Sequence, residues 1–303
     1  MNNISYRILL PIGVSMFASC SSTPDYDAQG TFEATEVIVS SEGNGKILYL
    51  DIDQGDSVVA GRTVGQVDTV QLFLQRQELS RQYAALDASR PDLAAQIASL
   101  KEQIAGTLTD RDRVARLLKD GAATQQQLDN LNTKLASLQG QLDAQRSTVN
   151  NSRSSIDEQM NALVVKSQAV DDQIARCVIA SPISGVVLDK LAEAGEVTSF
   201  GKPLFKVADM HNIYLRAYFT SDQLSALRLG QKVTVVADYG AGNEKSYEGT
   251  VSYIATQSEF TPKTIQTKDS RANLVYAVKI AVKNDGLLKI GLTGNVYVGN
   301  NGN

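Results

Sequence analysis

The chain has no tryptophan, one histidine (His211) and two cysteines (Cys20 and Cys177) in 303 residues. A histidine or cysteine metal site is therefore excluded almost by count, which leaves only carboxylate sites open. Charge of one sign is also lacking: 29 Lys+Arg stand against 33 Asp+Glu, a net of −4, so no basic face marks a nucleic-acid binder. No run of eighteen apolar residues occurs, and hence no sustained membrane-spanning helix is predicted. What remains, 43% hydrophobic residues over this length, is enough to build real cores in roughly two domains.

The first twenty residues read as an export signal, with Arg7, then the apolar run 8–17, then Ala18-Ser19 before Cys20. Placing Cys20 after two small residues is similar to a bacterial lipoprotein cleavage box, in which that cysteine carries the lipid. A signal peptide over 1–19 and a polar tether over 20–30 follow. Cys177 lies in the strand-like run Cys177-Val178-Ile179-Ala180 and reads as a buried structural thiol.

One internal repeat is present. Glycines fall at Gly45, Gly55 and Gly61 and again at Gly185, Gly195 and Gly201, with spacings of ten and six in both copies. Glycine suits turns that need positive φ, and the residues between alternate as half-buried strands do. Neither half can bury a core alone, so residues 31–68 and 177–208 are predicted to pair into one β-sandwich.

Between the halves the period changes. Leu72, Leu79, Leu86, Leu93 and Leu100 recur every seven residues, as do Leu128, Leu135, Leu142, Val149, Ile156, Leu163 and Val170. That is coiled-coil patterning, and Ile97, Ile104, Leu131, Leu138 and Ile174 widen the stripes. The pattern breaks at Lys119-Asp120-Gly121, and Thr124-Gln125-Gln126-Gln127 has the form of a capping box. Arms of 52 and 53 residues, 69–120 and 124–176, predict an antiparallel hairpin on the order of 75 Å long. Pro91 predicts a kink or short break at Ser89-Arg90-Pro91-Asp92.

A half-sandwich, a long hairpin, a second half-sandwich and a β-rich tail resemble the HlyD-type membrane fusion proteins, the periplasmic adaptors of tripartite exporters. The resemblance implies an elongated α+β fold: a coiled-coil hairpin over 69–176 inserted in a lipoyl-like β-sandwich, then a β-barrel over 209–303. It implies no enzyme activity, cofactor or metal. It implies as partners an inner-membrane exporter and an outer-membrane TolC-like channel, with a hexameric homo-oligomer lipid-anchored at Cys20 to the periplasmic side of the inner membrane. Arg113, Leu117 and Thr124 match the family's Arg-Leu-Ser channel-contact spacing, with Thr in place of Ser. The stretch 259–268 with Arg271 and Leu274-Val275-Tyr276 is similar to the YbhG-type, ABC-exporter-associated subgroup. A chain stopping at Asn303, soon after the barrel, favours an ABC-type partner.

For the tail, strands are predicted at 213–219, from 230, at 247–254 and at 274–282, with a short helix after Thr220. Rival chemistry is thin. A lipoyl or biotinyl carrier needs a lysine where the halves join, and the hairpin occupies that point; Lys46 and Lys190 lie elsewhere. Neither 43–46 nor 240–246 completes a phosphate loop, and Asp51, Asp53 and Asp56 lack the glutamate of a calcium loop. The alternative function is an envelope lipoprotein using its coiled coil as a scaffold.

Overall fold

The computed structural model describes residues 26–260 and 274–299. The signal peptide, Cys20, the tether as far as residue 25, and Arg271 with most of the stretch before it lie outside the described residues. The chain divides into two compact units, residues 37–207 and the residues up to 36 together with those from 208 onward.

The first unit holds the sandwich and hairpin. One sheet has the order β5-β4-β2-β7, from Val178–Ala180, Thr63–Val67, Gly45–Leu50 and Val197–Thr198. The other runs through β1 (Ala28–Ser40), β8 (Pro203–Thr220), β6 (Gly185–Lys190) and β3 (Ser57–Val58). Ile47, Val64, Val67, Val187, Leu204, Phe205 and Val207 fill the core between them.

The glycine repeat is one trace of a wider pseudo-two-fold in which each residue has its counterpart 140 positions on. The Gly55 N–H donates to the Val187 carbonyl (2.9 Å), and the Gly195 N–H to that of Ile47 (2.8 Å). The Gly61 N–H donates to Ser181 and that of Gly201 to Ser41, both at 2.8 Å. Buried Ser41 and Ser181 each donate a hydroxyl two residues on, to Gly43 and Ile183, at 2.7 Å. Each half thus completes the backbone hydrogen bonds of the other, and neither is a folding unit by itself. Gly55, Gly61, Gly195 and Gly201 take φ between 78° and 96°, and Gly45 takes 150°. Gly185 departs from the turn reading: it opens β6, paired with Val58, and its φ is not positive.

The hairpin consists of α1 (Val70–Ala88), α2 (Leu93–Lys119) and the 52-residue α3 (Gln125–Arg176), about 78 Å long at 1.5 Å per residue. The heptad seam is buried on α3 at Leu135, Leu142, Val149, Leu163 and Val170, joined by Leu138 and by Met160, which the seam did not include. No residue of α1 is fully buried, because one partner helix covers only one side of it. The break falls at 89–92. The Asp92 carboxylate accepts from the Ala94 and Ala95 N–H groups (2.8 and 3.3 Å) and starts α2 with a proper cap. Arg90 reaches across to Asp157 (2.6 Å) and Met160 Sδ (3.4 Å).

The second unit is a closed barrel formed by β8, β12 (Leu274–Lys283), β10 (Glu244–Ile254), β9 (Lys232–Asp238), β13 (Thr293–Tyr297) and β1, which returns to β8; β11 (Glu259–Phe260) adds to β12. A short α4 (Ser221–Leu224) follows β8 and is capped by Thr220. Phe32, Leu215, Phe219, Val235, Ile280, Leu288 and Val296 are fully buried in its core. Two points depart from the sequence reading. Residues 28–30, expected in the tether, and 31–36, expected in the sandwich, belong to the barrel, with Ala28 to Thr31 paired against Val296 to Thr293. The reason is that β1 turns Ala28, Gly30, Phe32 and Ala34 inward, an alternation built on small residues that carries little hydropathy signal.

Candidate functional site

The hairpin tip joins α2 to α3 by two interlocking caps. Asp120 ends α2 and Gly121 follows at φ 70°; its N–H donates to the Leu118 carbonyl (3.1 Å), and the Ala122 N–H donates to that of Leu117 (2.8 Å). This is a Schellman motif, closing the last turn. Thr124 then starts α3. Its Oγ1 accepts from the Gln127 N–H (3.3 Å), while the Thr124 N–H donates to Gln127 Oε1 (2.9 Å), completing the capping box. The tip is therefore rigid even though its side chains are solvated.

Arg113 and Leu117, one turn apart, share a face of α2. The Arg113 guanidinium is exposed and meets Asp110 at 3.0 Å. Leu117 is 40% exposed, and Thr124 is exposed. Sequence reasoning passed over Arg116 and Lys119, which place two further cations in the last turn of α2. Their signal was the three-residue spacing from Arg113, and their charge suits a helix C-terminus. The last turns of α2 thus carry an exposed Leu117 together with Arg113, Arg116 and Lys119, and the Asp120 cap. Such a surface can dock against a partner, and it holds no nucleophile, base and orienter set.

The other residues weighed from the sequence are structural in their geometry. Asn44 Oδ1 accepts from the Phe200 N–H (2.8 Å), so 43–44 braces the two halves where Gly45 and Lys46 open β2. Lys190 is held by Glu193 (2.8 Å) and Asp53 (3.3 Å); the hydrogen bond to Glu193 raises its pKa despite some opposing desolvation. The Asp53 N–H donates to Asp56 Oδ2 (2.8 Å), making the acidic cluster a turn. Cys177 is buried, and burial, then Asp68, pushes its thiol pKa up. Among the described residues, no group of three or more His, Cys, Asp or Glu is placed to hold a metal ion, and no helix is long and apolar enough to cross a membrane.

A hairpin inserted between two interdigitated half-sandwiches and followed by a barrel defines the class, the fold of the membrane fusion proteins. The resemblance to the HlyD type drawn from the sequence holds at this level. The membrane fusion protein Spr0693 from Streptococcus pneumoniae R6 superposes with a TM-score of 0.53 at 19% identity, over 89% of this chain and 97% of that one. MacA from Actinobacillus actinomycetemcomitans gives 0.54 at 19% identity, over 89% and 76%. A UPF0194 membrane protein from Acidithiobacillus ferridurans is 37% identical over 119 residues, 39% of this chain and 35% of the relative. That match spans about a third of the relative's length. No family model matches the chain.

Proposed function

We propose that this protein is a periplasmic adaptor, not an enzyme, that links an inner-membrane exporter of ABC type to an outer-membrane TolC-like channel. In this reading Cys20 carries the lipid anchor, the chain assembles as a homo-hexamer, and Arg113, Leu117 and Thr124 meet the channel. The YbhG-type affiliation belongs to the same proposal. The observation that carries it is the capped tip at the end of a long hairpin, which presents Leu117 40% exposed on the last turn of α2. A ring of such tips supplies affinity by multivalency.

In-cell photocrosslinking with a reactive residue at Leu117 and a second at Tyr247 in the barrel tests it. The expected outcome is an outer-membrane channel trapped at Leu117 and an ABC permease trapped at Tyr247. If the tip traps only cell wall or its own copies, the export reading fails and the scaffold lipoprotein replaces it.

A further inference from the structure

A groove of about 700 Å³ runs along the outer wall of the barrel, over β8, β12 and β10. Its floor is the exposed Ala281, whose register partners are Tyr214 on β8 and Thr250 on β10. An alanine between an aromatic ring and a hydroxyl leaves the wall hollow at that point. The alternation of β12 puts Lys279 and Lys283, two residues to either side, on the same face, and both line the groove. Each starts about 7 Å from Ala281 along the strand, so both ammonium groups can close on one group seated over it. These two lysines lack the carboxylate that the neighbouring cations have. Glu248 stands opposite Lys283 but is taken by Lys232 at 2.5 Å. Glu259 is taken by Arg216 at 2.9 Å, with Glu33 at 4.0 Å from the same guanidinium, and Asp285 is taken by Lys245. The Asp209 carboxylate accepts from the His211 and Asn212 N–H groups (3.0 and 3.1 Å) and from the Asn212 side-chain amide (2.9 Å). Among the described residues Lys283 has no hydrogen bond or ion pair, and the half-buried Lys279 ammonium meets only the Tyr214 ring, 4.4 Å from its centroid. A ring holds an ammonium in place without neutralising it.

We infer that this groove binds a phosphoryl group, seated over Ala281 between Lys279 and Lys283. Three donors border that point: the two ammonium groups and the Thr250 hydroxyl, which no described residue engages. A tetrahedral dianion offers each of them a separate oxygen, whereas a planar carboxylate offers two oxygens and half the charge. Lysine suits this role because it meets phosphate as a point charge and needs no planar fork. Lys279 is preorganised for it, since the Tyr214 ring already fixes its ammonium and less side-chain freedom is lost on binding. The ligand class is a phosphate monoester, either a soluble molecule or the head of a lipid. The inference stands apart from the adaptor reading and does not require it.

The test is lysine acetylation of the purified full chain in nonionic detergent at fixed ionic strength, read residue by residue by mass spectrometry. The probes are glycerol 3-phosphate in solution and phosphatidic acid doped into the micelles. Acetylation of Lys279 and Lys283 should slow about threefold when a probe reaches twice its dissociation constant. Lys101 and Lys134, exposed on the hairpin, should keep their rates. Protection by glycerol 3-phosphate assigns a soluble phosphate ester, and protection by phosphatidic acid alone assigns a lipid headgroup. Lys283→Ala should remove the protection of Lys279 at the same probe concentration. Ala281→Glu, which puts a carboxylate on the floor, should remove the protection of both lysines. Thermal melting checks that each variant folds, and Lys283→Ala, at an exposed position, decides alone should Ala281→Glu melt early. No protection by either probe, equal protection of Lys101 and Lys134, or protection of Lys279 that survives in folded Lys283→Ala overturns the inference.

Discussion

Gly30 and Arg216 lie on the neighbouring strands β1 and β8 at a separation that admits no side chain on Gly30: a Cβ there would stand 2.1 Å from the Arg216 carbonyl oxygen. The obstruction is backbone, so no rotamer change relieves it. Gly30→Ala should destabilise the barrel by about 3 kcal/mol or more, the upper end of overpacking effects. Gly106, exposed on α2 with nothing within 4 Å of a built Cβ, should respond with the opposite sign. Gly106→Ala removes a helix-interior glycine and should stabilise by about 1 kcal/mol. Denaturant unfolding of both variants checks the pair, and equal signs would refute the account.

Thr198 occupies the place that Val58 holds in the other half, and both are buried. Its Oγ1 has no hydrogen-bond partner among the described residues. Replacing a buried unpaired hydroxyl by a methyl of the same shape removes a desolvation penalty, so Thr198→Val should raise stability by about 1 kcal/mol. A lower melting temperature for this variant would mean that the hydroxyl is satisfied.

Cys177 should resist alkylation in the folded protein. Burial raises its pKa and disfavours the reactive thiolate, and a Cβ on the facing Gly43 would come within 2.7 Å of its sulfur. Maleimide labelling of the Cys177 peptide, followed by mass spectrometry, should stay slow in buffer and become fast only in denaturant. Rapid labelling of the native chain would contradict the packing.

Asp285 gives the barrel a pH dependence. Its carboxylate accepts from Lys245, from the Leu287 N–H (3.1 Å) and from Tyr247 (3.2 Å), and the Lys245 hydrogen bond leads in holding its pKa below the ordinary value. A depressed carboxylate pKa contributes stability above the unfolded value, about 3.9, and loses it as pH falls through the folded one. Asp285→Asn should therefore lower the melting temperature at neutral pH, and the gap from wild type should close in acid below pH about 4. A gap that persists unchanged in acid would rule out the ion pair as its source.

The hairpin, its break and its tip were legible because heptads, a proline and a capping box are local signals. The same periodicity hid how the arms align. Arg76 meets Asp171 and Arg90 meets Asp157, fourteen residues apart on both arms, yet from Arg90 to Gln96 the first arm uses six residues where α3, from Asp157 to Gln145, uses twelve. The chain leaves the helix after Ser89, and Asp92 is extended, so the break advances further along the axis than helical residues would. A slip of nearly one heptad returns seam positions to seam positions and so leaves the pattern unchanged. The barrel was less legible at both ends. Thr293-Gly294-Asn295-Val296 has one large apolar residue, and Gly294 is required because a Cβ would press on Phe32 at 2.9 Å. At the tip, sequence spacing picked out Arg113, Leu117 and Thr124 but could not separate the cap role of Thr124 from a docking role.

The break at 89–92 makes the two arms mechanically unequal. The first arm is jointed, two rods linked by the break at 89–92, while α3 is a single unbroken spar. At its foot the spar ends on Arg176, and after Cys177 alone the chain is already strand β5. A load applied at the tip therefore reaches the sandwich along an unbroken α3, through Cys177 and the Arg176–Glu42 ion pair at 3.2 Å, whereas on the other arm it must cross the break at 89–92.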